Sequence, residues 1–115
     1  MPRFVILVHD HPFLHWDFML EVDAVLRTWR LLDEPNSSGE IAAEPLPVHR
    51  KHYLDYEGPV SNGRGTVRCW DCGDYTLVQE SLTKIFVQLE GQKLNGLAVL
   101  ECDVDKSCSF SMTAN

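Results

Sequence analysis

The stretch from Phe4 to Asp23, FVILVHDHPFLHWDFMLEVD, gathers residue types able to hold a metal ion. His15 and Asp17 stand two apart in an alternating segment, so a β-strand projects them from one face. His9 closes the apolar run just before, and a turn at His11-Pro12 could bring it back beside them. Two imidazoles and a carboxylate suit borderline divalent ions, and three protein ligands leave positions open to water or substrate. Spacing alone leaves a second reading open, that of polar residues on the solvated face of a half-buried strand. On either reading Leu14, Trp16, Phe18, Leu20 and Val22 form the opposite face, which seeks the core.

Further along, His49, Arg50, Lys51, His52, Asp55 and Tyr56 fall close together. His52 and Tyr56 can both donate to an oxyanion, and an imidazole exchanges protons near neutral pH. His49, Arg50 and Lys51 read as a solvated loop, although Arg50 and Lys51 are the densest basic pair in the chain. Arg64, Thr66 and Arg68 share a strand face that could meet a phosphate or water. Cys69 and Cys72 form a C-x-x-C pair, but a zinc ribbon wants a second such pair, and Cys102 and Cys108 are spaced too widely for the usual knuckle.

Short strand patterns must position these groups. After the first two, VLRTWRLL alternates across a plausible tight turn at Asp23-Ala24. The run DEPNSSGEIAAEPLP reads as a long surface loop from Asp33 to Pro47. TVRCWDCGDYTLV reads as a hairpin turning at Asp71-Cys72-Gly73, then a brief helical turn near Glu80 to Lys84 leads to IFVQLEG and GLAVLEC around Gly91-Gln92-Lys93. The expectation is a single all-β domain, an antiparallel β-barrel with at most short helical turns, over residues 1–102. Residues 103–115 show no apolar period and are expected to form a fraying tail.

Composition narrows the function classes. A chain of 115 residues can bury one hydrophobic core without disulfide staples. No apolar run reaches the roughly 20 residues of a membrane helix, and no secretory leader pattern opens the sequence. No membrane partner is expected, the cytoplasm is the expected compartment, and the four cysteines are expected to be reduced thiols. A net charge of −7 argues against broad adhesion to nucleic acid, while leaving room for a small cationic site that captures one phosphate.

Taken together the motifs resemble a known family. H-D-x(4)-H-x-D-F-x-L-E-x-D from His9 to Asp23, Trp29, L-D-Y-E-G from Leu54, G-x-G-T-V from Gly63, W-D-x-G from Trp70 and L-x-G-x-K-L-x-G from Leu89 are similar to the 3′-phosphoesterase domain of bacterial DNA ligase D, which also occurs as a free-standing protein. The resemblance runs from about Phe4 to Glu101. It implies a β-barrel with a manganese site that trims nucleic-acid 3′ ends in DNA repair, removing a terminal ribonucleoside and then a 3′-phosphate, with a ligase or other end-repair proteins as partners. It also implies His9, His15 and Asp17 as metal ligands, with His52 and Tyr56 contacting the reacting phosphate. Asp10 and Glu21 would orient metal-bound water or the ligand imidazoles, and Glu21 shares the strand face of His15 and Asp17.

The departures bear on activity. Met19 stands where the family carries an arginine, and Asp33 and Glu34 follow Trp29 where it carries a lysine. The glycine-rich stretch before Thr66 is short, and no polar arm precedes the first strand. At about 3 kcal/mol for a positioned electrostatic donor, two lost cations would weaken catalysis severely. Either Arg50, Lys51, Arg64 or Arg68 restores the charge from another strand, or the domain is a noncatalytic module binding a metal or a nucleic-acid end. A small zinc-stabilised interaction domain built on the C-x-x-C pair is a third alternative.

Overall fold

A computed structural model describes residues 1–35, 39–105 and 107–114. Nine strands make up its regular structure: β1 (Arg3–His9), β2 (His15–Val22), β3 (Val25–Leu31), β4 (Ile41–Arg50), β5 (Gly58–Pro59), β6 (Thr66–Glu80), β7 (Lys84–Gly91), β8 (Asn95–Cys102) and β9 (Cys108–Ala114). One 3-10 turn, Lys51–Leu54, interrupts them. The antiparallel order β1-β2-β3-β4-β9-β8-β7-β6 closes through a β1–β6 pairing, and the short β5 adds to β6. The expected all-β barrel is what the chain forms.

Alternation explains the closure. Phe4 and Ile6 of β1, Phe18 and Leu20 of β2, and Trp29 and Leu31 of β3 point inward to meet Val87, Leu89, Leu100 and Phe110 in the barrel core. The opposite parity is buried as well. Val5, Leu7, Met19, Leu26 and Val67 form an outer cluster beneath Leu54, with Tyr53, Tyr56 and Val60 packed against it. Strand β2 is thus covered on both sides, whereas the sequence gives it one apolar face and one open face. Leu14 precedes the strand and is exposed, and Trp16 and Val22 are only half-buried.

Other expectations need correction. The loop read from Asp33 to Pro47 gives way to β4 at Ile41, because Ile41 and Ala43 alternate into the core while pairing with β9. Beyond Ala43 the strand pairs only with β3, so Pro45 and Pro47 lie where a missing N–H is tolerated. Residues 36–38 of that loop lie outside the described residues.

Asp71-Cys72-Gly73 is no hairpin turn. It lies within β6, one long strand with a bulge near Trp70 that pairs with β1 over its first part and with β7 over its second. A side chain at Gly73 would place its Cβ 2.0 Å from the Glu90 carbonyl oxygen, so this glycine serves a close backbone approach. Between β6 and β7 the chain makes a non-helical turn closed by a Ser81 N–H to Lys84 carbonyl bond of 2.8 Å, in place of the helical turn.

The segment read as a tail supplies β9, whose Phe110 is buried in the core. The same hairpin overturns the reading of four free thiols. Register places Cys102 opposite Cys108, and the two form a disulfide, leaving Cys69 and Cys72 free. The Asp23-Ala24 turn is as expected, with Val22 pairing Val25 across it.

Candidate metal centre

Sheet register brings the three candidate ligands together. His9 on β1 pairs directly with His15 on β2, and Asp17 follows two residues later on the same outer face. One donor atom from each of His9, His15 and Asp17 lies within 4.8 Å of the others. His15 and Asp17 are buried and His9 is partly so. Between His9 and His15 the loop turns through a cis His11–Pro12 peptide.

Backbone carbonyls fix both imidazoles. His15 Nδ1 lies 2.8 Å from the Phe13 carbonyl oxygen, and His9 Nε2 lies 2.9 Å from that of Arg64. A carbonyl only accepts, so each of these ring nitrogens carries the hydrogen. The other nitrogens, Nε2 of His15 and Nδ1 of His9, therefore turn toward Asp17, at 3.1 and 3.4 Å from its two oxygens. Among the described residues the buried Asp17 Oδ1 finds no aligned hydrogen-bond donor. Lone pairs from three side chains thus face one another. Only a proton or a metal cation between them relieves that arrangement.

The electrostatics follow. Burial pushes the Asp17 carboxyl upward, but His15 and His9, when they carry a proton toward it, override burial and hold its pKa at about 2. The Asp17 carboxylate in turn raises the pKa of His9 against the effect of burial, with help from the Arg64 carbonyl. A buried, ionised carboxylate flanked by two ring nitrogens is a fitting donor set for a divalent ion.

A cleft of about 570 Å³ opens over this cluster, lined by Leu7, Met19, Leu46, Val48, Tyr53 and Val60 and by Arg30, Arg50 and Arg64. Of the four cations read as phosphate contacts, Arg50 and Arg64 thus line the cleft. Lys51 instead reaches Glu21 at 2.8 Å, and Arg68 borders a separate small hollow with Asp10 and Thr66. Arg64 also bonds the Ser61 carbonyl and hydroxyl.

The two carboxylates expected to orient water or imidazoles have other contacts. Asp10 accepts from the Thr66 N–H and hydroxyl at 2.8 and 3.1 Å, tying the end of β1 to the start of β6. That approach requires Gly65, whose added Cβ would lie 2.1 Å from the Asp10 carboxylate. Glu21 accepts from the Arg3 N–H at 2.9 Å and pairs with Lys51, beyond Met19 on the strand. The phosphate contacts are also displaced. His52 is exposed and packs on the rings of Tyr53 and Tyr56, the Tyr56 hydroxyl donates to the Pro59 carbonyl, and Tyr53 rather than either lines the cleft.

Among the described residues the C-x-x-C pair does not gather a second set. Burial and the neighbouring Cys72 push the Cys69 thiol up to about 12, opposite to what a thiolate ligand requires. The other two cysteines are joined to each other.

Sequence reasoning missed Arg30. It lies opposite Asp17 across the β2–β3 pairing. Counting outward from a two-residue turn at Asp23-Ala24 would have found it.

Comparison with known proteins places this geometry. The DNA Ligase D 3'-phosphoesterase domain matches residues 8–101. The multifunctional non-homologous end joining protein LigD of Pseudomonas aeruginosa is 33% identical over 104 residues, covering 82% of this chain and 12% of that protein. The multifunctional non-homologous end joining DNA repair protein LigD of Mycobacterium tuberculosis is 29% identical over 104 residues, covering 81% and 13%. The chain therefore spans about an eighth of the length of these relatives. The match runs from the end of β1 through β8 and takes in His9, His15 and Asp17 together, so this chain belongs to the DNA ligase D 3′-phosphoesterase domain family.

Proposed function

We propose that this domain is a divalent-metal-dependent 3′-phosphoesterase that trims nucleic-acid 3′ ends in DNA end repair, with manganese as its metal. The observation that carries the reading is the convergence of His9, His15 and Asp17 donor atoms within 4.8 Å on the floor of a cleft, in a chain of this family. A metal held there supplies Lewis acidity to a phosphate oxygen and acidifies water. The chain's own part is positioning. The Phe13 and Arg64 carbonyls hold the imidazoles in the tautomers that leave ligand nitrogens facing inward.

Arg50 and Arg64 give the cleft positive charge for an incoming phosphate. His52 and Tyr56, on and just after the 3-10 turn, would meet a strand of nucleic acid that leaves the cleft across that turn; His52 can donate to an oxyanion there, and Tyr56 does so once its hydroxyl leaves the Pro59 carbonyl. Asp10 and Lys51 act at one remove, through Thr66 and Glu21. Cytoplasmic residence, and a ligase or another end-repair protein as partner, belong to the same proposal.

The test is turnover of a 3′-phosphate primer in manganese, after chelation and add-back. The expected result is activity that vanishes on chelation, returns with manganese, and falls by at least about 100-fold in His15→Ala, the scale on which metal sites depend on a ligand shell. A second reading, a noncatalytic module that binds a metal or a nucleic-acid end, is favoured by one observation. Met19, buried in the outer cluster, puts a thioether rather than a cation in the cleft. Tight manganese binding with no turnover would favour that module.

A further inference from the structure

Arg30 has an unmet requirement. Register sets it between Asp17 on β2 and Glu44 on β4. Its guanidinium lies over the Phe13 ring at 5.3 Å, and one terminal nitrogen approaches Glu44 Oε1 at 3.4 Å, a long contact to an exposed residue. Its Nε is buried and has no acceptor among the described residues. A charged N–H taken from water without a partner is costly, so such a group points to an acceptor that arrives with a ligand.

The surroundings say what that acceptor is. Arg30 lines the same cleft as His9, His15 and Asp17, so whatever meets its guanidinium lies beside a cation held by those three. Among the described residues, the ion pairs of Asp17 are with His9 and His15, and that of Arg30 is with Glu44. Arg30 is therefore not committed to neutralising Asp17. A planar fork that offers Nε and a terminal N–H side by side matches two oxygens of one tetrahedral oxyanion. The Phe13 ring, 5.3 Å from the guanidinium, adds a cation–π contact on one side.

We infer that Arg30 grips the nonbridging oxygens of a terminal phosphate monoester beside the metal position, and so makes the cleft prefer a 3′-phosphate end over a 3′-hydroxyl end. This rests on the phosphoesterase reading for its substrate class. The binding claim, however, is measured separately from turnover.

The experiment compares wild type, Arg30→Ala and Arg30→Lys in manganese. It measures binding of 3′-phosphate and 3′-hydroxyl oligonucleotides by fluorescence polarisation, competition by inorganic phosphate, and manganese affinity by paramagnetic resonance. Arg30→Ala should weaken binding of the 3′-phosphate oligonucleotide by roughly 10- to 100-fold, the worth of a hydrogen bond to a charged group. Binding of the 3′-hydroxyl oligonucleotide and of manganese should stay as in wild type. Arg30→Lys should fall between, since lysine keeps the charge without the fork.

Inorganic phosphate should compete with wild type and not with Arg30→Ala. Equal losses for both oligonucleotides would reduce Arg30 to general charge and overturn the inference, as would unchanged 3′-phosphate binding in Arg30→Ala. A folded Arg30→Lys variant with wild-type preference would do the same. If wild type shows Arg30-dependent phosphate binding but never turns a primer over, the phosphoesterase reading fails and this assignment stands.

Discussion

At the scale of single residues, the molecule places its carboxylates by what they must accept. Asp71 is buried, and its two oxygens take the N–H groups of Cys72, Gln92, Lys93 and Leu94 at 2.8 to 3.1 Å. It anchors the β7–β8 turn to the middle of β6. Asp71→Ala would strand several of those donors, and we expect a loss of about 3 kcal/mol in urea unfolding, at the upper end for unsatisfied buried groups. Asp17 accepts little and faces two ring nitrogens, the environment expected of the ligand proposed above.

Period-two spacing made His15 and Asp17 visible together, and the short turn at His11-Pro12 made His9 a third candidate before the resemblance named the same three. The carbonyls of Phe13 and Arg64 leave no trace in a sequence, because any residue carries one. Asp10 and Glu21 were legible as acids near the site, but their partners Thr66, Arg3 and Lys51 come from distant positions that only the closed sheet brings near.

At the scale of elements, strand type was legible and strand boundaries were not. A glycine between polar residues reads as a turn, yet Gly73 is extended because the Glu90 carbonyl needs its space. Prolines read as loop, yet Pro45 and Pro47 occupy the part of β4 that pairs on one side only. The β8–β9 hairpin is the clearest case. Its apolar signal is weak, and its end is fastened by Cys102 and Cys108. Replacing both with serine removes a short covalent loop and should cost about 2 kcal/mol on loop-entropy grounds, seen as a lower urea midpoint. Manganese affinity should not change, since β8 and β9 lie across the barrel from β1 and β2 in strand order.

For the whole molecule, charge and site are set at different scales. The net charge is −7, while Arg30, Arg50 and Arg64 line one cleft. Under the proposed function, nucleic acid is therefore held by a few cations at one end and by little else. For three phosphate contacts with a single strand, the logarithm of affinity should fall against the logarithm of salt with a slope of about −2. Titration of a 3′-phosphate oligonucleotide at several potassium chloride concentrations measures it. A much steeper slope would mean an extended basic track that the surface does not show.

Core and candidate ligands are written into the same two strands on alternate positions. Phe4, Ile6, Phe18 and Leu20 fill the barrel, and His9, His15 and Asp17 face the cleft. Substitutions can therefore tune either set without disturbing the other. The shared reading frame has a cost, because deleting Trp16 alone would flip every later side chain of β2 and point Asp17 inward among hydrocarbon. Evolution along these strands is free to exchange letters and barred from losing one.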